Sequence, residues 1–379
     1  MKRLSFHILL LSLLVPCASS AERTPGFSMS AFNILVPSSA HSAVFSPFSF
    51  EIDCALISEA FGALEKAVYV EALGALVGYD SVYKPITRRF LNSATNDFSL
   101  ISARAYLSPS LRLIATKYRS FIQSEYGAHV CPIQPTEKVA ENFMRVEMDG
   151  QMEDFRVPEE AMTPNGVSFC DLEVFSCRWA EPFPTSATCR VAFAGEGKGE
   201  VEMMSDVREA EILKEERYSV LRLPMAEEAS FFVALPDAGE TLDSIRGNFA
   251  AEKFDELLAT FRTKNVTVVG GPAEVSIPKF TTDTIIDMKP AFFRFALPLG
   301  GFKDILIYPD SALKVTSQRV RFSLDERGPG GSVIGRKGAG ANLPAVPGVR
   351  RFVCNRPFLY WVVHEPTRTV PVAGVFAGD

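Results

Sequence analysis

From Ser168 onward the chain is a series of short segments rich in β-branched and aromatic residues. They read SFCDLEVFSCRW (168–179), SVLRLPM (219–225), SFFVALP (230–236), AEVSIPKF (273–280), RVRFSL (319–324), FLYWVV (358–363) and TVPVAGVFA (369–377). Segments of this length and composition are strands. One helical stretch, SIRGNFAAEKFDELLATF (244–261), interrupts them. The first third is patterned differently. SPFSFEIDCALISEAFGAL (46–64) opens on serine and proline and then places Ile52, Ala55, Leu56, Ala60 and Leu64 at helical spacing. KYRSFIQSEYGA (117–128) and VAENFMRVEMDGQ (139–151) are two further amphipathic helices. Helices first and strands later, with few βαβ alternations, require an α+β fold built on large antiparallel or mixed sheets. No linker-like break or internal repeat divides the chain, so 22–379 reads as one domain.

The N-terminus, MKRLSFHILLLSLLVPCASSAE, has a basic start at Lys2 and Arg3, an apolar run from Leu4 to Val15, and small residues at Ser19 and Ala21. This is the pattern of a secretory signal, residues 1–21, cleaved after Ala21. The apolar run is too short to span a bilayer. Export to the extracellular space is expected, or to a periplasm or cell surface in a bacterial host. Cys17 could alternatively carry a lipid, although Val15-Pro16 suits that processing poorly. Cys54, Cys131, Cys170, Cys177, Cys189 and Cys354 remain after it. Export permits disulfides, but a chain of 379 residues does not need a disulfide framework, and buried thiols are the simpler reading. Asn265-Val266-Thr267 is a glycosylation sequon that matters only in a host that glycosylates. The formal net charge is −6 and no lysine- or arginine-rich run stands out, which argues against nucleic acid or an anionic membrane as partner.

The stretch DERGPGGSVIGRKGAGANLPAVPG (325–348) lies between two strand-like runs and nearly matches a phosphate-binding loop. Gly330 and Gly335 are correctly spaced, but Arg336-Lys337 stand where lysine and then a hydroxyl residue are needed. A dinucleotide fingerprint fails at Val333, where the third glycine belongs. Four histidines, His7, His41, His129 and His364, are scattered, with no HExxH, CxxC or GxSxG arrangement. No nucleophile, base and orienting group can be named together, so the chain reads as neither an enzyme nor a metalloprotein, and no cofactor is expected.

The C-terminal run CNRPFLYWVVHEPTRTVPVAGVFAGD (354–379) resembles the signature of the serpin family. The resemblance extends upstream. VFSPFSFEIDCALISEAFGAL (44–64) is similar to the family's helix B opening. FCDLEVFSCRWAEPF (169–183) is similar to its long central strand, and AEVSIPKFTTDTIIDM (273–288) to its Val-x-Pro-Lys-Phe strand. VEMMSDVREAEILKEERYSVLRLPM (201–225), followed by SFFVALPDAGETLDSI (230–245), tracks its strand series. The resemblance implies three β-sheets, eight or nine helices and an exposed reactive-centre loop, here about 326–350. It also implies inhibition of a serine-type endopeptidase, or alternatively a cysteine protease, by a monomeric suicide substrate. The cleaved loop then inserts into the central sheet as an added strand.

By the same resemblance Glu326, Gly328, Pro329, Gly330, Gly331 and Ser332 form the hinge, and Trp179 lies in the breach at the top of the central sheet. Ser46, Ser49, Asp171 and Gln318 form the shutter, where asparagine and histidine are usual at the last two positions. Counting forward from Glu326 places the first bait residue at Asn342; counting back from Pro357 places it at Val346. Proline disfavours cleavage at Leu343-Pro344 and Val346-Pro347. Ala345-Val346 is therefore the first choice of bond and Asn342-Leu343 the second, which suggests an elastase- or subtilisin-like target. Pro329 lacks the N–H that a central ladder needs. Arg336 and Lys337 would be costly to bury. These departures favour the alternative, a non-inhibitory serpin with a binding, carrier or chaperone role. Residues 65–100 contain no basic helix, so no heparin-like cofactor is indicated.

Overall fold

A computed structural model describes residues 25–36, 40–73, 97–110, 113–162, 166–195, 199–264, 266–302, 312–330 and 348–379. Helix α1 (Gly26–Leu35) leads through β1 (Ala43–Phe45) to α2 (Pro47–Ser58) and α3 (Ala63–Ala72). Next come β2 (Phe98–Ser108), α4 (Thr116–Tyr126), β3 (His129–Pro132), α5 (Lys138–Glu147) and β4 (Val167–Cys177). Four strands follow: β5 (Cys189–Ala192), β6 (Glu200–Lys214), β7 (Tyr218–Pro224) and β8 (Ala229–Pro236). Helices α6 (Leu242–Ile245) and α7 (Ala251–Arg262) precede β9 (Val268–Pro278), β10 (Phe280–Asp287) and α8 (Lys289–Arg294). The chain closes with β11 (Leu313–Asp325), β12 (Gly328–Pro329), β13 (Arg350–Val353), β14 (Phe358–His364) and β15 (Thr369–Phe376). The α+β class is as the sequence requires.

The central sheet runs β10-β11-β4-β2-β3, with β12 added on β11. The second array runs β1-β15-β14-β8-β7-β6-β9-β13, with β5 on β6. Two of the three expected sheets are continuous here because β6 belongs to both. It pairs with β9 from Met203 to Leu213 and with β7 from Glu211 to Lys214.

Two helical expectations need correction. The 46–64 segment stops at Ser58, and a separate helix starts at Ala63. The 244–261 segment is broken into α6, a 3₁₀ turn at 246–248, and α7. Helix α1 packs against the break. Asn33 donates to the carbonyl of Phe249 (3.1 Å), and Ala251 N–H donates to Ser30 Oγ (3.0 Å). These side-chain bonds take up backbone groups that a continuous helix would use. The first third also contains β2, whose pattern the sequence hides. Its outer half is buried on both faces, so apolar and polar residues do not alternate.

Most apolar side chains join one core between the two arrays and α1, α2 and α7. Within it, Trp361 stacks on Phe232 at 5.4 Å and lies edge-on to Phe254. Every residue of α2 is buried, so its polar members Ser49, Glu51 and Asp53 stand inside the protein. A smaller core fills the opposite face of the central sheet, beneath α5 and the segment that follows it.

Candidate functional site

The boundary between β4 and β11 is where the central sheet opens at one end. β4 and β11 are parallel neighbours, registered from Val167 opposite Leu313 to Val174 opposite Arg321, with no strand between them over that span. Above Arg321 they separate, and β12 occupies the widening gap. Gly328 and Pro329 pair antiparallel with Asp325 and Leu324, and Gly330 N–H donates to the Ser323 carbonyl (2.7 Å). On the other side Trp179 N–H donates to the Arg327 carbonyl (2.9 Å). Both glycines are required by fit. A Cβ on Gly328 would lie 2.2 Å from the Cys177 carbonyl oxygen, and one on Gly330 would lie 2.0 Å from Ser176 Oγ. Both also hold positive φ, 126° and 76°, which other residues adopt only with strain.

Pro329 is less disruptive than its chemistry suggests. The Gly330–Ser323 bond makes that pair the hydrogen-bonded one, so Leu324 and Pro329 form the alternate, non-bonded pair. The N–H that proline lacks is not owed to β11 at this position. The top of the gap is held by three further contacts. Trp179 Nε1 donates to the Asp325 carbonyl at 3.0 Å. Thr188 Oγ1 donates to Glu326 at 2.7 Å, and Lys279 Nζ sits 3.1 Å from the same carboxylate. Burial pushes the Glu326 carboxyl up, but Thr188 and Lys279 outweigh it and hold the group below its usual range. Trp179 is itself fixed between Phe183 and Phe231.

Lower on the boundary, Arg104, Asp171 and Gln318 stand opposite one another across β2, β4 and β11. Gln318 Nε2 donates to Asp171 at 3.2 Å. The same amide clamps the start of α2, accepting from Ser46 N–H (2.8 Å) and donating to the Ser46 carbonyl (3.3 Å). Ser46 Oγ caps α2 by accepting from Ser49 N–H. Ser49 Oγ donates to Glu173. The four residues expected to form the shutter therefore do meet.

They meet around a group the sequence reading missed. The buried Arg104 guanidinium faces Asp53 (3.1 Å), Asp171 (3.6 Å) and Glu173 (2.7 Å). Burial pulls the guanidinium pKa down, but Asp171, Glu173 and Asp53 together outweigh this and raise it. The same burial pushes the three carboxyls up, with Arg104 pulling against it. Ionising all three against one guanidinium would leave net negative charge in a dry site, so the cluster retains protons. Among the described residues, Asp53 Oδ2, Asp171 Oδ1 and Glu173 Oε2 have no hydrogen-bond partner. Arg104 could have been flagged as the only charged residue in FSLISARAYLS. Asp53 gave no sign on α2, because only tertiary packing turns that face inward.

The remaining expected residues, Gly331, Ser332, Asn342, Leu343, Ala345 and Val346, lie outside the described residues, as do Arg336, Lys337, the signal and Asn265. Cys54, Cys131, Cys170, Cys177 and Cys354 are buried free thiols, and Cys189 is buried as well. Burial pushes Cys170 up to about 12, which keeps it an inert thiol.

The family model for Serpin (serine protease inhibitor) matches residues 22–377. The chain belongs to the serpin family, a family of protease inhibitors. Human Serpin I2 is 23% identical over 165 residues, a match covering 41% of this chain and 38% of that protein, so well under half of the relative's length is spanned. Among solved structures, Serpin48, a highly specific serpin of the insect Tenebrio molitor, superposes with a TM-score of 0.76 at 17% identity, covering 94% of this chain and 96% of that one. Human thyroxine-binding globulin, solved in complex with thyroxine, gives 0.74 at 15% identity, covering 93% and 97%. At these identities the structural likeness establishes the fold.

Two outcomes follow from the cluster. Arg104→Gln leaves buried carboxylates without a counter-charge and should cost about 3–5 kcal/mol of stability, read by thermal melting. The folded chain holds protons here that the unfolded chain releases. The contribution of the cluster is therefore full below the ordinary carboxyl range near pH 4 and declines as pH rises. Glu173→Gln removes one of these sites, so its melting temperature should fall less than that of the wild type between about pH 5 and 8. Equal slopes would place the proton elsewhere. At the top of the boundary, Gly330→Ala should unseat β12, raising amide exchange over 323–330 by about tenfold or more.

Proposed function

We propose that this serpin inhibits a serine-type endopeptidase as a suicide substrate, through a bait loop at about 326–350. Residues 1–21 are the export signal, and 22–379 act outside the cell as a single-domain monomer. The observation that carries this reading is the β4–β11 boundary: two parallel strands, registered side by side, with the start of the loop already wedged antiparallel between their upper ends. A strand entering there would be antiparallel to both neighbours. It would replace one parallel ladder with two antiparallel ones, which are slightly more stable per residue. Trp179, Glu326 and the Arg104 cluster line the same boundary, as the proposed breach, hinge and shutter roles require.

The register of β12 refines where insertion meets resistance. Continued along β11, it sets Gly331 opposite Phe322, Ser332 opposite Arg321, Gly335 opposite Gln318, Arg336 opposite Ser317 and Lys337 opposite Thr316. Residues directly opposite share a face. Lys337 would therefore point to the fully buried side occupied by Thr316, while Arg336 would lie on the α5 side. Burying an unpaired ammonium is costly, and this argues for the second reading, a serpin whose cleaved loop inserts incompletely and which binds or carries a partner. Pro329 leaves the β11 ladder intact and withholds one donor from the β4 side, a cost of about 1 kcal/mol, so it is the weaker obstacle.

The bait bond is assigned to Ala345-Val346, with Asn342-Leu343 second, and the target to the elastase- or subtilisin-like class. Mixing the mature protein with elastase-, subtilisin-, chymotrypsin- and trypsin-like proteases should give a denaturant-stable covalent complex with one of the first two. Loop cleavage by all four with no complex, and no gain in thermal stability of the cleaved chain, overturns the inhibitor reading. Lys337→Ala should raise the yield of complex, whereas Pro329→Thr should change it by less than about twofold. The reverse order would show that the hinge proline is limiting.

A further inference from the structure

We propose that the cleft where β13 meets the ends of β7 and β8 binds a small phosphate or sulfate monoester, its anionic head held by Arg351 and Arg356. The site does not depend on whether the loop inserts.

The cleft arises from the way the second array closes on itself. β13 is the last strand of that array and pairs with β9 over Arg350–Val353. The chain then turns through Cys354 to Pro357 and re-enters the array as β14, beside β8. That turn brings β13 up to Ser219 and Leu235, which stand opposite one another on β7 and β8. The cleft between them has a volume of about 400 Å³, within the usual range of small-molecule sites. Leu235 and Phe352 are buried and Val353 is half-buried, which gives the cleft one apolar wall.

The opposite wall is rich in hydrogen-bond donors. Arg351 NH2 donates to Glu274 at 2.9 Å, and its Nε and NH1 have no partner among the described residues. Arg356 Nε donates to the Pro236 carbonyl (2.7 Å) and NH1 to Asn355 Oδ1 (3.0 Å), which leaves NH2 unused among the described residues. The Asn355 side-chain nitrogen and the Ser219 hydroxyl are unused among them as well. The nearby acceptors, in contrast, are taken: the Pro236 carbonyl and Asn355 Oδ1 both serve Arg356.

Charge points the same way. The charged residues flanking Ser219 and Leu235 cancel in pairs, Lys214 with Asp237 and Arg217 with Glu240. Glu274 is buried behind Arg351 and offsets one of the two guanidiniums, so one positive charge remains at the cleft. Guanidiniums match the geometry of oxyanions. A carboxylate has two oxygens for the unused donors of Arg351, Arg356, Asn355 and Ser219, whereas a phosphate or sulfate monoester has three. The apolar wall calls for a carbon body on the ester, which a bare inorganic ion lacks. A ligand seated in this way joins β13 to β7 and steadies an edge strand of four residues.

The test is calorimetric titration of the protein with phenyl phosphate, phenyl sulfate, benzoate and inorganic phosphate, with amide exchange read over 350–356. At least one of the two phenyl esters should bind about tenfold or more tightly than benzoate and inorganic phosphate, and should protect 350–356; the tighter ester identifies the head group. Arg356→Gln should weaken that binding about tenfold or more. Arg351→Lys keeps a counter-charge for Glu274 but loses the fork, and should weaken it about threefold or more. Lys253→Gln, on the exposed face of α7, should leave it unchanged. Arg351→Lys keeps the test decisive if Arg356→Gln does not fold. Absence of binding, or equal affinity in the Arg356, Arg351 and Lys253 variants, overturns the site. Benzoate binding as tightly as the esters overturns the tetrahedral head, and inorganic phosphate doing so overturns the apolar seat. Binding without protection of 350–356 places the ligand elsewhere and overturns the proposal.

Discussion

The parallel ladder between β4 and β11 is the interaction around which the rest of this protein is arranged. Parallel strands are ordinarily linked by crossovers that cover both faces, and here the covering elements differ in kind on each side. Behind the ladder lies α2, buried along its whole length, with the Gln318 amide clamped to its first turn. In front lies the segment between α5 and β4. At the top, the ladder gives way to two loop residues whose fit depends on having no Cβ beside them. Each of these features is local, yet each acts on the same line of backbone hydrogen bonds.

The buried charges along that line are a choice between stability and specificity. An apolar cluster in place of Arg104, Asp53, Asp171 and Glu173 would often be as stable or more so, because desolvation of ions offsets most of their attraction. What the ions supply is direction. A guanidinium facing three carboxyls holds β2, β4 and α2 in one arrangement, and Gln318 carries the network on to β11. The charges gather on the β2 and β4 side of the boundary, and within this cluster a neutral amide makes the link to β11. The resemblance led to the serines, Asp171 and Gln318. It did not lead to Arg104, which converts a neutral polar site into an ionic one.

Most of the strands from β4 onward were legible from β-branched and aromatic runs, because a strand with a wet face or a turn at each end leaves a local pattern. The hidden elements were those where locality fails. β2 is enclosed on both faces along its outer half and shows no alternation. The break between α6 and α7 is imposed by side chains of α1 more than two hundred residues earlier in the sequence. The site divides in the same way. Glu326, Trp179, Gly328 and Gly330 sit in stretches with family-like motifs, whereas Thr188, Lys279, Asp53 and Arg104 join the site only through distant pairing.

By itself the sequence determined the class of fold and the family, since these rest on composition, order and contiguous motifs. It also showed a proline and a basic pair between 325 and 348. Only the tertiary structure decided what the proline means. Register along β11 places Pro329 at a non-bonded pair, and register is a relation between strands that no single segment encodes.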